Sequence, residues 1–68
     1  MNNKFGKWLK MRMLIVDLKH RGLADSIGVS ESTVSWWTTG RSIPKPQFHS
    51  KMAKVLKVDL EELQRRAK

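Results

Sequence analysis

Sixty-eight residues without a cysteine suit one small domain held by an apolar core alone, with no disulfide, no thiolate metal site and no room for a second domain. Fourteen Lys and Arg against six Asp and Glu give a formal charge of +8, so the natural partner is a polyanion. The longest apolar run, MLIV at 13–16, falls far short of the roughly 18 residues needed to span a bilayer and also of a signal-peptide core, which excludes a membrane protein and predicts a soluble, unexported chain.

Apolar residues recur at helical spacing and sustained period-two alternation is absent, which predicts an all-α chain of five helices. The first is expected from about Asn3 to Leu14, with Phe5, Trp8 and Met11 on the core face and Lys4, Lys7 and Lys10 outside it. The run MLIV winds round more than one helix face, so if Ile15 or Val16 packs inward, Met13 or Leu14 must tend outward. Met13 and Leu14 are therefore a candidate patch for a protein partner, unless the turn at 13–17 folds back over them.

The second helix is expected from about Leu18 to Ile27, turning Leu23, Ala24 and Ile27 inward and stopping on a left-handed Gly28. Gly22 inside it costs up to about 1 kcal/mol relative to alanine. A short GVS turn leads to Ser30, an N-cap for a third helix that ends before Gly40. There Val34 and Trp37 form the inward stripe, and Ser32, Trp36 and Thr39, flanked by Ser35, form the opposite face, with Glu31 and Thr33 exposed in the first turn. Trp36 is either a peripheral cover on the core or an aromatic held against sugar, a thymine methyl or a protein partner.

The stretch RSIPKP at 41–46 must be a loop, because its two prolines forbid a continuous helix, and Arg41 and Lys45 charge it. Phe48, Met52, Val55 and Leu56 mark a fourth helix starting near Pro46 or Gln47 and broken at Lys57 and Val58. Asp59 with Glu62 has the spacing of a capping box, predicting a last helix that carries Leu60 and Leu63 inward and frays into RRAK.

The outward face of the third helix is built of short hydroxyl side chains. Such a face lies deep in a DNA major groove, where Ser and Thr bond to several base edges or to phosphate. Glu31 repels phosphate but can accept from cytosine N4 at a base edge, which favours base reading over a generic anion patch. His20 and His49 stand far apart in sequence without a carboxylate cluster, so neither a metal nor a catalytic role is expected and His49 reads as a solvated helix residue. The lysines of the first helix could mark a membrane-surface helix, but Phe5, Trp8 and Met11 are needed by so small a core. No glycine-rich phosphate loop, nucleophile elbow or catalytic carboxylate pair is present, and Glu61 with Glu62 is assigned to cap chemistry, so no enzyme and no cofactor are expected.

The stretch LADSIGVSESTVSWWTTGRSIP resembles the helix-turn-helix of the phage repressor and Cro family of DNA-binding proteins, through Leu23, Ala24, Gly28, Val29, Ser30, Val34, Trp37, Gly40, Arg41, Ile43 and Pro44. AKVLKVDLEEL resembles the last two helices of that family, so the likeness covers about 18–63. It implies a compact five-helix, lambda-repressor-like domain over 1–68, with its helix-turn-helix at about 18–39. The resemblance places Glu31, Ser32, Thr33 and Trp36 toward bases. Lys19, His20, Ser30, Ser35, Thr39, Arg41, Ser42 and Lys45 would serve the DNA backbone. Three positions depart from the family pattern: Lys19 stands where a Ser or Thr cap is usual, His20 where glutamine is usual, and Thr38 where glutamate commonly follows the tryptophan. The implied function is a Cro-like transcriptional repressor of a phage or mobile element, cytoplasmic in a bacterial host and nucleoid-associated. Its partner would be double-stranded DNA, bound as a weak homodimer on an inverted repeat, with contact near 58–64. An antirepressor or antitoxin-like protein that binds another regulator or a toxin stays open as the alternative.

Overall fold

The computed structural model describes residues 4–67 as α1 (Lys4–Ile15), α2 (His20–Ile27), α3 (Glu31–Thr39), a 3-10 turn (Pro46–Phe48), α4 (His49–Leu56) and α5 (Leu60–Arg66). The chain is all-α, and its helix ends are written in local chemistry. Gly28 (φ 91°) and Gly40 (φ 84°) close α2 and α3 in the left-handed region, each returning its N–H to a carbonyl of the last turn, Ala24 and Trp36. Ser30 caps α3, its Oγ accepting from the Thr33 amide at 3.2 Å. Asp17 (φ 56°) and Lys57 (φ 58°) take the same left-handed conformation without being glycine, turning the chain out of α1 and α4.

Every helix delivers a fully buried aliphatic side chain to one core: Leu9 from α1, Leu23 from α2, Val34 from α3, Met52 and Leu56 from α4, Leu63 from α5. Trp37 joins them, its ring 6.1 Å from that of half-buried Phe48. α1 packs on α3 and α5, and α2 on α3 and α4, so the back of α3 is held from two sides. Arg12 ties α1 to the end of α4 by donating from Nη2 to the carbonyls of Leu56 (2.8 Å) and Lys57 (3.3 Å), a cation placed where the helix dipole is negative.

Several expectations are corrected. The inner stripe of α1 is Phe5, Leu9 and Met13, at i, i+4 and i+8, so Met11 lies outside and Trp8 at the edge. Met13 is therefore core, and of the two proposed patch residues only Leu14 is exposed. Leu60, first residue of α5, is also exposed although it shares a helix face with Leu63 and Ala67 (i, i+3, i+7): it stands at the start of the helix, outside the core cluster. Asp59 has the extended backbone of an N-cap but makes no side-chain cap bond, so the capping box does not form, and Glu62 instead meets Arg66 at 3.7 Å. α5 does not fray at Arg65: it stays helical to Arg66, whose guanidinium sits 5.7 Å from the centre of the Trp8 ring, and Ala67 is buried.

His49 is buried rather than solvated. The 3-10 turn before α4 puts it on the row of Met52, Ala53 and Leu56, and its Nε2 lies 3.3 Å from the Pro44 carbonyl. Since that carbonyl can only accept, Nε2 carries the proton. α2 begins at His20, two residues later than expected, with Lys19 at the cap position. The expected start of α1 at Asn3 and the terminal Lys68 lie outside the described residues. Among those described, no helix is long and apolar enough to cross a membrane.

Candidate nucleic-acid interface

α3 is short, tightly capped and packed from behind. Val34, Trp37 and Thr38 are buried, and Glu31, Ser32, Ser35, Trp36 and Thr39 are exposed on the other side. The two adjacent tryptophans divide as their 100° separation requires: Trp37 is 2% exposed and Trp36 47%. A rigid helix thus presents one large aromatic among small hydroxyls.

The hydroxyls are not equally free. Thr33 is half-buried and its Oγ1 lies 3.0 Å from Ser30 Oγ, while Thr39 Oγ1 donates back to the carbonyls of Ser35 (3.0 Å) and Trp36 (3.3 Å). Thr33 and Thr39 therefore serve the helix ends first. Ser32 and Ser35 have no such local side-chain bond among the described residues and line a shallow cleft with Glu31 and His20.

That cleft is where α2 meets α3. Its floor is set by a contact between two of the positions that depart from the family pattern: His20 Nε2 lies 3.3 Å from Thr38 Oγ1. Thr38 donates its own proton to the Ser35 carbonyl at 2.9 Å, so its oxygen is left as an acceptor and His20 Nε2 must carry a hydrogen. The ring is thereby held by one nitrogen, with Nδ1 as its remaining polar atom. Thr38 is a site residue that the sequence did not single out; its only signal was its departure from the resemblance.

Cations flank the face at both ends. At one end Lys19 and Arg21 are exposed beside His20, and Lys19, having no acceptor, leaves the first amides of α2 without a side-chain cap. Arg21 was not among the sequence-derived residues, although it belongs to the same exposed turn. At the other end the amides of Arg41 and Ser42 bond to the Trp36 carbonyl at 2.9 and 3.4 Å, which folds the loop back against the end of α3. Arg41, Ser42 and Lys45 are exposed there, and His49 pins the loop through Pro44. The arrangement brings together Lys19, His20, Glu31, Ser32 and Ser35 at one end and Trp36, Arg41 and Ser42 at the other, and leaves Met13 and Leu14 on a different helix. Its only exposed carboxylate is Glu31, in the first turn of α3.

Residues 5–65 match the family model described as a helix-turn-helix domain. No curated protein matches the chain.

Proposed function

The chain belongs to the helix-turn-helix domain family of DNA-binding proteins, and from that premise we propose that it is a sequence-specific transcriptional repressor of the Cro-like type, serving a phage or mobile element. The observation that carries the reading is the outer face of α3: short hydroxyls and one carboxylate, bracketed by cations from α2 and from the loop after α3. In this reading α3 lies in the major groove. Ser32 and Ser35 meet base edges, Glu31 accepts from cytosine N4, and Trp36 packs on a thymine methyl or on sugar at the far end. Thr33 reaches the bases only through its methyl side, since its hydroxyl is held by Ser30.

Lys19, Arg21, Arg41 and Lys45 take phosphates on either flank, with the Ser42 and Thr39 hydroxyls beside them, and fix the register in which α3 reads. His20, its ring set by Thr38 so that Nδ1 accepts, reaches the backbone through a water that donates to Nδ1 and to a phosphate oxygen. Two copies on an inverted repeat, with half-sites about 34 Å apart, would double both the reading and the charge. Occupying a promoter in this way excludes polymerase without any catalytic group.

The test is a selection of random duplexes by the purified protein, followed by gel shift on the enriched sequence and on the DNA upstream of its own coding sequence. An enriched inverted repeat, lost on replacement of Ser32 and Glu31, is expected. Enrichment of no motif, with equal affinity for all duplexes, would overturn sequence-specific repression.

A further inference from the structure

The outer face of α1 is not what a helix that only supports α3 requires. Met11, Leu14 and Ile15 are 60%, 81% and 61% exposed, adjacent on the last turns of the helix. Exposed Lys7 and Lys10 stand one turn before them, at i−4 from Met11 and Leu14. No acidic residue occurs anywhere in α1. The face is apolar and basic.

Its chemical counterpart is on the same chain. Leu60 opens α5 with 42% of its surface exposed, between Asp59 and Glu61, both exposed carboxylates that make no ion pair among the described residues. An exposed leucine between acids is what a face of exposed aliphatics between lysines would accept.

The two surfaces are neighbours within one molecule. Arg12 of α1 bonds the carbonyl of Lys57, two residues before Asp59, and Ile15 lies one turn beyond Arg12 on α1. Neighbouring, opposite surfaces on one body are self-complementary under a two-fold rotation: each lysine side meets the partner's acidic side, with the aliphatic side chains between them. Two copies meeting α1 to α1 in the same register would instead set lysine on lysine.

We propose that a second copy of this chain docks on this face, with Met11, Leu14 and Ile15 of one molecule covering Leu60 of the other, and Lys7 and Lys10 facing Asp59 and Glu61 reciprocally. The proposal gives the pairing put forward above its surface and rests on that reading only for its role on DNA. A few exposed side chains cover less than the roughly 800 Å² per partner of a standard interface. The pair is therefore weak and salt-sensitive in solution, and is completed when two half-sites hold both copies close.

Sedimentation equilibrium without DNA, over a concentration series at low and high salt, tests it. A monomer–dimer equilibrium that weakens with salt is expected. Lys7→Glu with Lys10→Glu, and separately Glu61→Lys with Leu60→Lys, should each weaken association tenfold or more. Mixing the two variants should restore a heterodimer in which both reciprocal contacts are attractive, one with the native charges and one with the charges exchanged. Ile15→Ser should also lose dimer while keeping its helical circular dichroism and its affinity for a single half-site, which separates failure of this surface from failure of the DNA reading. Monomers at every concentration, or a dimer indifferent to Ile15→Ser and to both charge reversals, would overturn the proposal.

Discussion

Truncating Trp37 to alanine removes the ring that packs on Phe48 in a closed core, an expected loss of about 3 to 5 kcal/mol. Trp36→Ala removes an exposed ring and should leave the melting temperature nearly unchanged while weakening DNA binding. Calorimetry on both variants decides: equal falls in melting temperature would place Trp36 in the core. His49 offers a second contrast. Its replacement by alanine strips the Pro44 carbonyl of its donor and opens space beside Met52, so about 1 to 3 kcal/mol should be lost, whereas Ser50→Ala next to it, on an exposed position, should change little. At His20, nitrogen-15 spectra should show the Nε2–H tautomer that the Thr38 oxygen demands. The preference should disappear in Thr38→Val, a change that leaves His20 itself in place.

At the scale of the element, α2 and α3 are started by opposite means. Ser30 gives α3 a side-chain acceptor, and its loss to alanine should cost about 1 kcal/mol. Lys19 gives α2 a charge but no acceptor. Lys19→Ser should therefore stabilise the fold by about 1 kcal/mol while weakening DNA binding, a pair of effects of opposite sign that urea melts and gel shifts on one sample would reveal. A gain in stability with unchanged affinity would remove Lys19 from the interface. Gly22, costly for a helix interior, has a local reason: a Cβ there would stand 2.9 Å from Leu18 Cδ1, so glycine makes room for the half-buried side chain that packs against the core just before α2.

For the molecule as a whole, the charge of +8 should appear in the salt dependence of binding. Lys19, Arg21, Arg41 and Lys45 on each of two copies make Z on the order of 8, for a log–log slope near −7. A slope near zero would contradict phosphate neutralisation by these residues. Replacing Glu31 or Ser32 should change the preferred sequence and leave that slope where it is, because base contacts specify while phosphate contacts position.

Helix number, the stops at Gly28 and Gly40, the Ser30 cap and the division between Trp36 and Trp37 were legible in the chain, because each depends on residues within about a turn of one another. Much of the candidate interface was legible for the same reason, α3 and its two flanks being one continuous stretch. The inner row of α1 was not. Phe5–Trp8–Met11 steps by three and Phe5–Leu9–Met13 by four, and on a helix of 3.6 residues per turn the two rows diverge to opposite sides of the same starting residue. Only the surfaces of α3 and α5 packed against α1 select the second. His49 escaped because a histidine reads as polar until one nitrogen finds a buried carbonyl, here across a 3-10 turn whose onset the prolines conceal. Leu60 escaped because helical spacing puts it on the face of Leu63 and Ala67, and only the packing shows that the core stops short of the first residue of α5. His20 and Thr38 lie eighteen residues apart and meet only where α2 crosses α3. Local patterns thus determined which helices form and where they end, while the choice of buried face and the contacts between helices were decided by the shape of the space that the five helices leave one another.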